Sequence, residues 1–137
     1  MSDAEPTLVH APIILAGDAD TGLSVAAAGD LNGDGYSEVI SGGGGATLIY
    51  LGGELGPSGS PDHTLSMDET SFGNSVISVG DLNGDGLGEC AVGAPGPMKA
   101  YIYEGKATVT EMALDLEISG TDNDNGFGFC IASGLGF

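Results

Sequence analysis

The heptapeptide GDLNGDG occurs twice, from Gly29 and from Gly80, and this spacing of fifty-one residues constrains the fold more than any other feature of the chain. Overlaying residues 22–42 on 73–93 matches 12 of 21 positions, including Ser24 with Ser75, Val25 with Val76 and Glu38 with Glu89. The match resumes as LIYLG from Leu48 and YIYEG from Tyr101, displaced by two residues because the second copy carries GAPGPM where the first has GGGG. A third copy opens as LEISGTDNDNGFG from Leu116, similar to LSMDETSFG from Leu65 and more weakly to ILAGDADTG from Ile14, and reaches only CIAS beyond it. A period near fifty residues predicts stacked or radial units, none of which buries its own apolar face alone.

The apolar segments inside each unit are short, rich in β-branched and aromatic residues, and separated by clusters of Gly, Pro, Asn and Asp, a pattern of strands and tight turns. Four strands are expected per copy: 24–28, 38–41, 47–51 and 64–67 in the first, and 75–79, 89–92, 100–103 and 112–118 in the second. Four antiparallel strands in a unit of this length make a propeller blade, so the expected fold is all-β with two full blades and a partial third. The small residues Val25, Ala26, Ala27 and Ala28 suit the crowded strand nearest a propeller axis. The organisation read from these repeats is an N-terminal segment 1–20 with a spare fourth-type strand at 12–15, a first repeat 21–71, a second 72–121 and a partial third 122–137 with a first-type strand at 129–133. Tyr50, Tyr101 and Tyr103 fall on the third strands and are expected to pack between blades.

Charge narrows the function. Twenty carboxylates stand against Lys99 and Lys106, with no Arg, for a formal net charge of -18. Such a surface repels phosphate backbones and anionic membranes, and favours cations. No apolar run approaches the roughly 20 residues of a spanning helix, so membrane insertion is not expected. Cys90 and Cys130 are too few for a disulfide framework, and His10 and His63 lack partner motifs. No Ser-His-Asp order, Arg clamp or zinc-like His/Cys cluster offers catalytic machinery, so the chain reads as no enzyme.

The repeated loop explains the affinity for cations. With Asp30 as position 1, Asn32, Asp34, Gly35, Tyr36 and Glu38 occupy positions 3, 5, 6, 7 and 9; Asp81, Asn83, Asp85, Gly86, Leu87 and Glu89 repeat them. Side-chain oxygens at alternate positions converge when a short loop curls about a hard cation, Gly at 6 permits the turn, and the backbone carbonyl at 7 accepts any side chain, Tyr36 or Leu87 alike. An all-oxygen set suits calcium better than zinc or copper. An EF-hand shares the first six positions but closes with Glu at position 12, where this chain has Ser41 or Val92, and lies between helices. A plain hairpin turn would not explain two copies with the same ligand positions.

The run SFGNSVISVGDLNGDGLGECAVGAP, from Ser71 to Pro95, resembles the FG-GAP repeat of the integrin alpha-subunit β-propeller, down to Phe72-Gly73 and Gly93-Ala94-Pro95. The first copy departs at both naming positions, with Thr21-Gly22 and Gly42-Gly43-Gly44, but keeps the metal loop; the third stops before any DxNxDG. The resemblance implies two calcium sites, each in the loop joining the first two strands of a blade, on the face opposite the ligand-binding face. It also implies an extracellular or cell-surface module for adhesion or protein binding. The alternatives are a structural self-assembling repeat or spacer and a non-catalytic fragment of a larger secreted enzyme. Two blades cannot close a ring, so the partners expected are an unidentified protein ligand or a second copy, in a homo-oligomer or as a fragment of a larger propeller.

Overall fold

The computed structural model describes residues 14–17, 22–121, 126–128 and 131–132. Two four-stranded antiparallel sheets account for nearly all regular structure among them. The first has the order β1 (Ser24–Gly29), β2 (Glu38–Gly43), β3 (Ala46–Tyr50) and β4 (His63–Ser66); the second repeats it with β5 (Ser75–Gly80), β6 (Glu89–Ala94), β7 (Lys99–Glu104) and β8 (Ala113–Ser119). Each sheet is a simple meander with strands in chain order, the arrangement of a propeller blade. The strands overrun the sequence-derived bounds by one or two residues, because the glycines at Gly42, Gly43 and Gly93 pair in the ladder although their type suggests a turn.

The two sheets pack face to face. Ala28, Leu31, Ile40, Ile49 and Leu65 from the first blade meet Phe72, Val76, Cys90, Val92, Tyr101, Tyr103, Val109 and Met112 from the second. Strand alternation sets this division, since Ile40 and Ile49 are register partners on one side of the first sheet, and Val92 and Tyr101 on one side of the second. The Phe72 ring sits 5.7 Å from Tyr101 and 6.3 Å from Tyr103, tilted against one and edge-on to the other. Cys90 is a free thiol within this core, where burial pushes its pKa up to about 12; Cys130 lies outside the described residues.

The Phe72-Gly73 step is also the clasp between blades. The Phe72 carbonyl accepts the Gly45 amide at 3.1 Å, and the Gly73 carbonyl accepts the Ser24 hydroxyl at 2.8 Å. That carbonyl lies directly on Gly42, where a Cβ would collide with it, so Gly42 must lack a side chain. The second blade repeats the contact with the opening of the third copy: Ser75 donates to the Gly128 carbonyl at 3.1 Å, and Gly128 lies on Gly93.

Two expectations need correction. Tyr50 is buried, but on the side of the first sheet away from the second blade, where its hydroxyl donates to the Ala16 carbonyl at 2.6 Å. It differs from Tyr101 and Tyr103 because one further residue along a strand reverses the face. Residues 14–17 form no strand; Ala16 instead donates to the Gly59 carbonyl at 2.8 Å, and residues 12 and 13 of that expected strand lie outside the described residues. The expected strand 129–133 lies outside them too, save Ile131 and Ala132, which have no regular structure.

Equivalent residues show which faces are covered. Leu31 is 0% exposed beneath the second blade, whereas Leu82, its counterpart in the next loop, is 60% exposed. Replacing Leu31 by Ala should therefore cost about 2–5 kcal/mol of stability, a cavity-forming core truncation, while Leu82→Ala should stay within about 0.5 kcal/mol. Denaturant titration of both variants checks this contrast; equal losses would contradict the one-sided packing.

Candidate metal centre

Each GDLNGDG loop joins the two innermost strands of its blade. A register shift between Ala27 and Gly29 precedes the first loop, and one between Ser78 and Gly80 precedes the second. Such bulges re-aim the chain as it leaves the ladder. Asp30 then gathers the turn: its Oδ1 accepts the amides of Gly33 at 2.7 Å and Asp34 at 3.1 Å, and its Oδ2 accepts the amide of Gly35 at 2.9 Å. Asn32 Oδ1 accepts the Asp34 amide at 3.2 Å, and Asp34 Oδ1 accepts the Tyr36 amide at 2.9 Å. Gly33 and Gly35 hold φ of 81° and 91°, values open to glycine and strained for other residues.

The second loop reproduces this bond for bond. Asp81 accepts the amides of Gly84, Asp85 and Gly86 at 2.8, 3.1 and 2.8 Å, Asn83 accepts that of Asp85 at 3.1 Å, and Asp85 accepts that of Leu87 at 2.9 Å. The structure thus brings together one carboxylate oxygen each from Asp30, Asp34 and Glu38 within 4.8 Å of one another, and likewise from Asp81, Asp85 and Glu89. Asn32 and Asn83 sit in the same turns. Lys99 is engaged with Glu117, and Lys106 with Glu104, so these contacts bring no cation to the loops. Two carboxylates 4 Å apart repel by about 4 kcal/mol at an effective dielectric near 20.

The position-9 glutamates start the second strand of each blade and are 0% exposed. Glu38 Oε2 accepts the Leu31 amide at 2.6 Å and its Oε1 accepts the Gly52 amide at 3.3 Å. Glu89 Oε2 accepts the amides of Leu82 at 2.7 Å and Asn83 at 3.2 Å, but its Oε1 is buried with no hydrogen-bond partner. A buried carboxylate oxygen without a donor is costly, and a cation among the neighbouring carboxylates would relieve it. The all-oxygen donor set fits a hard divalent ion.

Burial raises the pKa of Glu38, and the carboxylates of Asp34 and Asp30 add to the rise against the opposing amides. Burial likewise raises that of Glu89, with Asp85 and Asp81 contributing. Raised folded-state values mean that protonation favours the fold. In chelator, melting temperature should therefore increase as pH falls through the raised glutamate values toward 4.5, and decrease again as pH rises. With calcium present the sign reverses, since protons compete for the ligands. A chelator series flat across this window, or unchanged by Glu38→Gln with Glu89→Gln, would contradict the assignment.

Sequence reasoning missed the Leu31, Leu82 and Gly52 amides on the glutamates, although the Gly that ends both LIYLG and YIYEG marked one of these positions. His63 lies half-buried on β4, where burial lowers its pKa, away from any acidic cluster. His10 lies outside the described residues.

Residues 30–92 match a family model described as FG-GAP-like repeat. Integrin alpha-7 of Rattus norvegicus is 33% identical over 144 residues, which cover 90% of this chain and 12% of that protein. Integrin alpha-PS5 of Drosophila melanogaster is 32% identical over 111 residues, covering 72% and 11%. Integrin alpha-6 of Gallus gallus is 36% identical over 123 residues, covering 77% and 11%. The chain thus spans about a tenth of the length of these relatives.

Proposed function

Since this chain is an integrin-like FG-GAP repeat protein, we propose that it is a calcium-stiffened propeller module that binds a protein ligand outside the cell or at its surface, without catalysis. The observation that carries the calcium reading is the duplicated carboxylate cluster with the orphaned, buried Oε1 of Glu89. Asp30, Asn32, Asp34 and Glu38 hold one ion with the Tyr36 carbonyl; Asp81, Asn83, Asp85 and Glu89 hold the other with the Leu87 carbonyl. Bound calcium supplies charge neutralisation and rigidity. Affinity in the range of extracellular modules, roughly 0.1–1 mM, keeps such sites filled outside cells and empty in a resting cytosol.

The unit boundaries proposed are 1–20, 21–71, 72–121 and 122–137. Val25, 67% exposed, marks the uncovered side of the first blade, and Leu116 and Ile118, 49% and 39% exposed, that of the second. These apolar faces favour a neighbouring blade, from a second copy in a homo-oligomer or from a longer chain, and equally support a spacer role in which calcium only holds the repeats. No helix among the described residues is long and apolar enough to cross a membrane.

Calorimetric titration tests the proposal. Two calcium ions per chain are expected, and none when Asp34→Ala and Asp85→Ala are combined. Unchanged stoichiometry in that double variant would place the metal elsewhere.

A further inference from the structure

The two acidic loops touch through the backbone. The Gly88 amide, at the end of the second loop, donates to the Asp30 carbonyl, at the start of the first, at 2.8 Å. Asp30's carbonyl shares its peptide unit with the Leu31 amide, which donates to Glu38 Oε2 at 2.6 Å. Gly88's amide shares its unit with the Leu87 carbonyl. The described residues contain no cis peptide, so each unit presents its carbonyl and amide on opposite sides. An unbroken run results: Leu87 carbonyl, Gly88 amide, Asp30 carbonyl, Leu31 amide, Glu38 carboxylate.

Packing holds this run in place. A Cβ on Gly33 of the first loop would come within 2.8 Å of the Leu87 side chain of the second. A Cβ on Gly105 would collide with the carbonyls of both Gly88 and Leu31. Neither loop can shift at these points without displacing the other.

We infer that the two loops take up calcium cooperatively, the relay of two peptide units letting a cation on the Leu87 carbonyl strengthen the hold of Glu38 on the other. This rests on the reading of both loops as calcium sites. A cation at the Leu87 carbonyl polarises its peptide unit and makes the Gly88 amide a stronger donor; the Asp30–Leu31 unit passes the polarisation on, fixing the Glu38 carboxylate in its binding orientation. Linkage requires the first loop to favour the second by the same factor. Electrostatics between the sites runs the other way, because a filled loop keeps one of its three negative charges and attracts the second cation less. Salt screens that long-range loss, with a Debye length of about 8 Å at 0.15 M, but leaves a buried hydrogen-bonded relay largely intact.

Calcium calorimetry at 0.15 M salt on the wild type, Asp34→Ala and Asp85→Ala decides the matter. The loop left in each single variant should bind calcium at least about fivefold more weakly than the wild type binds its second ion, with the same factor in both variants. A wild-type isotherm equal to the sum of the two single-variant isotherms, or one in which the second ion binds more weakly, overturns the coupling while leaving two calcium sites. No uptake by the wild type overturns the calcium reading itself. If Asp85→Ala does not fold, Asp34→Ala provides the second measurement. Calcium confined to its second loop should shift the Leu31 amide proton resonance downfield; an unmoved Leu31 resonance defeats the relay.

Discussion

Saturating calcium should raise the melting temperature of this chain by on the order of 15 °C, and chelator should reverse the rise. The size follows from binding to the folded loops alone: at about 100 times the dissociation constant each site contributes roughly 2.7 kcal/mol, and two sites shift a domain of this size by that order. Three carboxylates crowded within 4.8 Å in each loop repel one another until a cation joins them. Magnesium should do less, because it demands strict octahedral geometry and retains water. The Asp34→Ala, Asp85→Ala double variant should lose the shift altogether and, in chelator, melt no lower than the wild type, since one source of repulsion is gone from each loop. Differential scanning calorimetry with calcium, magnesium and chelator gives all of these comparisons. A calcium-independent melt would contradict the structural role.

The second large effect belongs to the clasp between blades. Phe72 is 0% exposed, wedged against Tyr101 and Tyr103, while its carbonyl and that of Gly73 fasten the first blade. Phe72→Ala should cost about 3–5 kcal/mol, from lost transfer energy and the cavity left behind. Gly42→Ala should also be severe although it adds only a methyl group, because that methyl meets backbone at Gly73 that has no rotamer to change. Denaturant unfolding of both variants provides the test. A loss below about 1 kcal/mol in both would show that the blades do not depend on this joint.

The repeat made much of this fold legible. Once two copies aligned, the turn-forming loops fixed where strands must end, and alternating apolar residues fixed their type, so all eight strands fall close to their expected places. The loop ligands were equally legible in kind, because Asp, Asn and Asp at alternate positions have few other uses. What the repeat concealed is the difference between its copies. Leu31 and Leu82 occupy the same position with the same side chain, yet one is core and the other surface, since only the first has a blade over it. Glu38 and Glu89 likewise share their loop and their burial, but Gly52 satisfies one while Glu89 Oε1 lacks a donor. The bond from Gly88 to Asp30 joins residues fifty-eight apart and leaves no periodic trace. Contacts of this sort arise from the packing of one repeat on the next, which no single repeat encodes.

The central claim is that calcium sits inside the two GDLNGDG loops and nowhere incidental. Anomalous diffraction from crystals grown with calcium tests it most directly. The account predicts two anomalous peaks, one bounded by Asp30, Asn32, Asp34, the Tyr36 carbonyl and Glu38, the other by Asp81, Asn83, Asp85, the Leu87 carbonyl and Glu89, with oxygens at about 2.3–2.6 Å. Loops holding only water under saturating calcium, or anomalous peaks bounded by other residues, would contradict it.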